Sequence, residues 1–194
     1  MVQTSLSLLE RLSIDSDNAS WAQLVELYGP LLRHWLRRYD VAEADCDDLI
    51  QDVLLVVSRE LPEFRHNRRT GAFRSWLRKI LANRVQNHWR ARKRRPMATG
   101  RSTFAEQLNQ LEDDDSNCSR MWDAEHDRQV IEHLLSRSAD RFAPTTWQAF
   151  HRLMIDGLDA DAVAAELGIT VNAVYIAKSR VLSALRRDAA GLID

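Results

Sequence analysis

Three groups of residues in this chain have types and spacings suited to binding chemistry. The first is cationic. Arg74, Arg78, Lys79, Arg84 and Arg90 recur through one stretch, with Asn83, Asn87 and His88 among them. Phosphates are neutralised by such cations, and bases that leave a stack are met by amides and aromatic rings. The second is acidic: Asp48, Gln51 and Asp52 follow three- and four-residue steps, which places them together on one face of a helix, with Val56 falling toward the same side. The third is Asn172, Tyr175, Lys178, Ser179 and Arg180, hydrogen-bonding side chains on a short helical stretch of the kind that enters a DNA groove. Each has a plainer reading. Asp48 and Asp52 also suit a helix N-terminus, Asn83 suits a turn, and Tyr175 can pack rather than read a base.

Hydrolytic or redox chemistry finds no comparable support. The six histidines, His34, His66, His88, His126, His133 and His151, form no HExxH and join no cysteine cluster, so no metal site is expected. No glycine-rich loop cradles a phosphate, and no cofactor is expected. Asp113, Asp114 and Asp115 are contiguous, and adjacent carboxylates rarely converge on one ion. The chain is expected not to be an enzyme.

The bulk properties agree. The 194 residues are 45% hydrophobic and 28% charged, which suits one or two folded domains. The densest apolar run, Val53 to Val57, falls far short of the roughly 20 residues of a membrane span. Met1 to Leu12 has no basic n-region, and Cys46 and Cys118 stand far apart. Neither a secretory signal nor a disulfide framework is expected, and a reducing cytoplasm fits best.

A net charge of −1 hides strong segregation. Residues 1–49 carry four arginines and nine acids, and residues 50–101 carry 14 basic residues and three acids, net +11. Residues 102–140 carry three arginines and ten acids, net −7, and residues 141–194 are balanced. A basic block between acidic ones is an electrostatic footprint for a polyanion, or a face paired internally with its acidic neighbours.

The elements that must position these groups read as helical almost throughout. Leu24, Leu27, Tyr28, Leu31, Leu32, Trp35, Leu36 and Tyr39 make one apolar stripe, with a break or kink expected at Gly29-Pro30. A second helix starts near Asp45–Asp48, buries Leu49, Ile50, Val53, Leu54, Val57 and Leu61, and stops at Pro62. A third runs from about Ala72 to Arg95, its stripe including Phe73, Trp76, Leu77, Ile80, Leu81, Val85 and Trp89. Both tryptophans thus suit core packing better than base stacking, and the cations are expected on the flanks and outer face. From Met97 to about Asp127 the periodicity fades into an expected flexible acidic linker, with a short helix at Phe104–Leu111. Such a segment spans about 30 Å as a coil and more if extended, enough for one turn of duplex.

Leu158 to Val174 reads as a helix-turn-helix. Ala164 is small where helices must cross, Gly168 can take positive φ, Ile169 plugs the corner, Thr170 can cap the next helix, and Val174 returns an apolar side chain. Val181, Leu182 and Leu185 are expected to pack inward.

In order and spacing these pieces resemble a bacterial extracytoplasmic-function (group 4) sigma factor of the sigma-70 family. Asp48-Leu49-Ile50-Gln51-Asp52-Val53-Leu54 is similar to the polymerase-binding helix of sigma region 2. Phe73-Arg74-Ser75-Trp76-Leu77 with Ile80-Leu81-Ala82-Asn83-Arg84 is similar to the promoter-melting segment, and Asn87 to Arg95 to its basic continuation. Ala164 to Arg187 is similar to region 4. The resemblance implies an all-α fold of two helical domains: region 2 over 1–96, a linker over 97–127 and region 4 over 128–194. It implies core RNA polymerase as partner through Asp48, Gln51, Asp52 and Val56. It implies downstream promoter contact by Arg74, Arg78, Lys79, Asn83, Arg84, Asn87, His88 and Arg90, and upstream contact by Asn172, Tyr175, Lys178, Ser179 and Arg180. A monomer when free, sometimes held by an anti-sigma factor, is the corresponding expectation. Val174-Tyr175-Ile176-Ala177 departs from the more polar or basic helices of many relatives, so no upstream base sequence carries over. A polymerase-independent operator-binding regulator and a protein-binding adaptor remain as alternatives.

Overall fold

The computed structural model describes residues 8–14, 18–64, 71–91, 106, 108–111 and 113–189. Residues 65–70, Arg92 to Arg95, and residues 97–105, 107 and 112 of the expected linker lie outside them. Among the described residues the fold is all-α, with no strand. The helices are α1 (Leu8–Ile14), α2 (Asn18–Arg38), α3 (Glu43–Glu60), α4 (Ala72–Ala91), α5 (Asn117–Ser138), α6 (Pro144–Met154), α7 (Ala160–Leu167) and α8 (Val171–Ala189). The chain divides into two compact units at Val130–Ile131.

In the first unit α2 buries the whole stripe read from its periodicity, Leu24 through Leu36. The break expected at Gly29-Pro30 does not occur, and α2 is one helix of 21 residues. A proline inside a helix forfeits one hydrogen bond, and burial of leucines and aromatics on both sides of Pro30 offsets that loss. Acids Glu43 and Asp45 occupy the first turn of α3, where the helix dipole favours them. Arg33 and Arg37 of α2 bond Glu43, at 2.7 Å in each case, so the two helices are also tied at the surface. Those guanidinium groups hold the Glu43 carboxyl down to about 2. α3 stops into a single 3-10 turn that carries Pro62 at its start.

Residues 117–127, expected in the linker, are helical and form the first half of α5. Trp122 is fully buried, with its ring centroid 5.4 Å from that of Trp35 and its indole Nε1 donating to the Arg74 carbonyl at 3.1 Å. The first half of α5 is anchored by this one large ring and by polar contacts rather than by an aliphatic stripe, which is why its periodicity is faint; Val130 and Leu134 are buried further along. Ser116 starts it, its hydroxyl accepting from the Ser119 N–H at 3.0 Å.

The core of the second unit gathers Ala149, Ala160, Val163, Ala164, Val174 and Ala177, with Leu153, Leu167, Ile169 and Val171 packed against it. Four of those six buried side chains are alanines, so α6, α7 and α8 approach closely.

Candidate nucleic-acid interface

The cations of α4 divide into two sets. Lys79, Asn83, Asn87 and Arg90 follow four- and three-residue steps, and all are exposed, forming one solvent-facing stripe. Arg84 and His88 flank it half-buried, with His88 Nε2 4.0 Å from Asp45. Arg78 lies elsewhere. It was expected on the flanks or outer face, but its side chain is 2% exposed. The reason is an acidic neighbour from later in the chain. Arg78 Nη2 bonds Asp114 Oδ1, Ser75 Oγ donates to the same oxygen at 2.8 Å, and Lys79 Nζ donates to Oδ2 at 3.0 Å. The Ser75 hydroxyl, then Lys79 and Arg78, hold the Asp114 carboxyl below its usual range.

Arg74 is engaged in the same way. Its Nη1 donates to Asp127 at 2.8 Å and its Nε lies 3.2 Å from Asp123. Gly71, at φ +86°, makes room for this fold-back, since a Cβ there would come 2.5 Å from Arg74 Nε. Asp127 also stands 3.3 Å from His126 Nδ1, while Tyr28 Oη is 3.1 Å from Nε2. These partners suit a neutral imidazole that donates from Nδ1 and accepts the tyrosine proton at Nε2. Burial pushes the His126 pKa down, against the raising effect of Asp127. Acids of the −7 segment therefore pair with cations of the +11 segment.

Trp76 and Trp89 are both half-buried. Trp76 packs at 4.8 Å from Phe64 and 5.7 Å from Phe73, and Trp89 donates to the Tyr39 carbonyl at 3.2 Å.

On α3, Asp48, Gln51 and Asp52 are exposed and Val56 is half-buried. Leu55 shares their face, three residues from Asp52 and four from Gln51, and is 50% exposed. Five consecutive apolar residues on a helix oblige at least one to face outward, and in Val53–Val57 that residue is Leu55.

In the second unit the local rules of the helix-turn-helix are met one by one. Asp159 caps α7 by accepting from the Ala162 N–H at 2.8 Å. Gly168 ends it at φ +64°, with the Ile169 N–H returning to the Ala164 carbonyl at 3.0 Å. Thr170 Oγ1 then caps α8 by accepting from the Ala173 N–H at 3.1 Å. The two helices meet at 102°, the range of a helix-turn-helix. α8 buries Val174, Ala177, Val181 and Ala184, while Leu182 and Leu185 are half-buried. Asn172, Tyr175, Ser179 and Arg180 are exposed on its other side, and Lys178 is half-buried off that stripe. Arg180 and Ser179 also line a cleft with Arg141, Phe142, Ser183 and Arg187. Arg141 and Phe142 come from outside the Ala164–Arg187 stretch, and folding alone brings them to α8.

Among the described residues no three histidines, cysteines or acids converge as a metal site, and no single helix is long and apolar enough to cross a membrane.

Comparison with known proteins bears on the first unit. The RNA polymerase sigma factor CnrH of Cupriavidus metallidurans is 30% identical over 105 residues, 54% of this chain and 51% of the relative. The RNA polymerase sigma factor NccH of Alcaligenes xylosoxydans xylosoxydans is 30% identical over 92 residues, 47% of this chain and 48% of the relative. The ECF RNA polymerase sigma factor SigF of Caulobacter vibrioides is 29% identical over 92 residues, 47% of this chain and 50% of the relative. The chain thus spans about half the length of the curated relatives it matches. Residues 24–95, which hold most of α2 and all of α3 and α4 and with them the acidic and cationic stripes, match the family of sigma-70 region 2. Over residues 24–95 the chain is thus similar to sigma-70 region 2, and over about half its length to RNA polymerase sigma factors, one of them named as of the extracytoplasmic-function type.

Proposed function

We propose that the chain is a transcription initiation factor. It binds core RNA polymerase, helps open the downstream promoter element with its first unit, and reads the upstream element with its second. The observation that carries this reading is the presence, in one chain, of a sigma-70 region 2 domain and a separately capped helix-turn-helix with an exposed polar stripe.

The division of labour follows from surface chemistry. The α3 face of Asp48, Gln51, Asp52 and Leu55, with Val56 beside it, offers two carboxylates, an amide and an apolar patch to a basic surface of the polymerase. Lys79, Asn83, Asn87 and Arg90 of α4 track a displaced strand, with cations for phosphates and amides for unstacked bases. Arg84 and His88 flank that path, Lys79 is freed for it when Asp114 lets go, and Arg74 and Arg78 join it once Asp114, Asp123 and Asp127 release them. Asn172, Tyr175, Ser179 and Arg180, with Lys178 beside them, face the duplex upstream. The protein works in the cytoplasm beside the polymerase, as a monomer before it binds, and supplies no catalytic step. An anti-sigma factor would act by covering the α3 or α8 stripe.

The test is direct binding of the labelled chain to purified bacterial core polymerase. Saturable binding that unlabelled chain competes away is expected. No binding at micromolar polymerase would contradict the reading and favour a polymerase-independent operator-binding regulator.

A further inference from the structure

This inference rests on the proposed role of α8 in reading upstream DNA. The exposed side of α8 carries Asn172, Tyr175, Ile176, Ser179 and Arg180, at positions i, i+3, i+4, i+7 and i+8, so they form one continuous stripe. Two adjacent members are large and apolar: Tyr175 is 53% exposed and Ile176 is 43% exposed. The other apolar positions of the helix are buried or half-buried. An apolar pair left in water favours an occupant that supplies apolar surface.

The surroundings restrict that occupant. One turn earlier stands Asn172, an amide able to bond a base edge. One turn later stand Ser179 and Arg180, and the stripe continues into the cleft lined by Arg141, Ser183 and Arg187. Asp188 holds Arg141, and among the described residues no carboxylate lines the cleft beside Arg180 and Arg187. The occupant must therefore show apolar points on a strongly anionic body. The major groove of duplex DNA does this, because the thymine C5-methyl is the apolar group on its floor and phosphates border it. The first turns of the second helix of a helix-turn-helix are the part that reaches base edges.

We propose that Tyr175 and Ile176 read thymine C5-methyl groups in the upstream promoter element. Thymines at neighbouring base pairs are then a specificity determinant, and the phosphate contacts of the arginine-lined cleft hold α8 in register.

The experiment uses the whole chain bound to core polymerase and a pool of duplexes with a randomised upstream segment. Bound duplexes are selected and sequenced, then remade with deoxyuridine in place of thymidine. That change removes the methyl and keeps every hydrogen-bonding group. Selected sites should contain neighbouring A·T pairs. Deoxyuridine should weaken binding about fourfold per methyl contacted, the value of one buried carbon. Ile176→Ala should lose part of that sensitivity and Tyr175→Phe should keep it; both positions are exposed, so the fold is retained.

A selected element bound equally well with either base overturns the inference and leaves the sigma reading standing. Binding to core with no selected upstream element also overturns it, as does an Ile176→Ala variant that loses polymerase affinity while keeping its thymine dependence. Failure to bind core at all contradicts the proposed function instead.

Discussion

The guanidinium of Arg78, 2% exposed on α4, is held by the carboxylate of Asp114, which lies 36 residues further along the chain. Ser75 and Lys79 bond the same carboxylate, and Arg74 is bound by Asp123 and Asp127. Three cations suited to phosphate are thus neutralised by acids of their own chain. Replacing Asp114, Asp123 and Asp127 together by asparagine should lower stability by about 2 kcal/mol, the scale of charge-assisted hydrogen bonds. It should also raise affinity for a single-stranded oligonucleotide and steepen its dependence on salt, because more phosphates are then neutralised. Titrations at several salt concentrations check this. An unchanged slope would remove Arg74, Arg78 and Lys79 from the phosphate contacts.

Trp122 makes the first half of α5 part of the first unit. It is fully buried against Trp35 and hydrogen-bonded to the Arg74 carbonyl. Trp122→Ala should cost about 3–5 kcal/mol in urea unfolding, as for large aromatic truncations in cores. Trp76→Ala, at a half-buried ring, should cost less.

Much of this arrangement was legible in advance. The α2 stripe was readable because eight apolar residues repeat at helical steps, and the turn at Gly168 because only a few residue types satisfy its caps and its positive φ. The first half of α5 was not, since one tryptophan and a set of side-chain hydrogen bonds leave no period to detect. Pro30 does not split α2 into two helices, because buried side chains on both sides of it outweigh the lost hydrogen bond. The burial of Arg78 was invisible because it depends on Asp114, a long-range pairing that no local spacing encodes. Arg141 reaches the α8 cleft for the same kind of reason.

His126 should make stability depend on acid. Its buried ring has a folded pKa below the ordinary value of about 6.5, so the unfolded chain binds the proton more readily. Its contribution is complete above that value and is lost as pH falls toward the folded pKa, with a slope of up to about 1.4 kcal/mol per pH unit. Asp127, Asp123 and Arg74 face the ring and share in this balance. Urea midpoints at pH 5.5, 6.5 and 7.5 should fall on the acid side, and His126→Gln should flatten the fall. A slope unaffected by that substitution would place the acid sensitivity elsewhere.

Asp48 and Asp52 are exposed on α3, so reversing both charges should leave helicity and urea midpoint nearly unchanged. Asp48→Arg with Asp52→Arg should nevertheless weaken binding to core polymerase at least about tenfold, since like charges would then meet across the interface. Equal affinity for the variant and the parent would take this face out of the polymerase contact.

The central claim is that the chain directs polymerase to promoters. Run-off transcription from a genomic promoter library, with purified core polymerase in the presence and absence of the chain, tests it most directly. Defined start sites that arise only when the chain is added, and that share two upstream sequence elements, are the predicted result. No new start sites, together with no binding to core, would contradict the account.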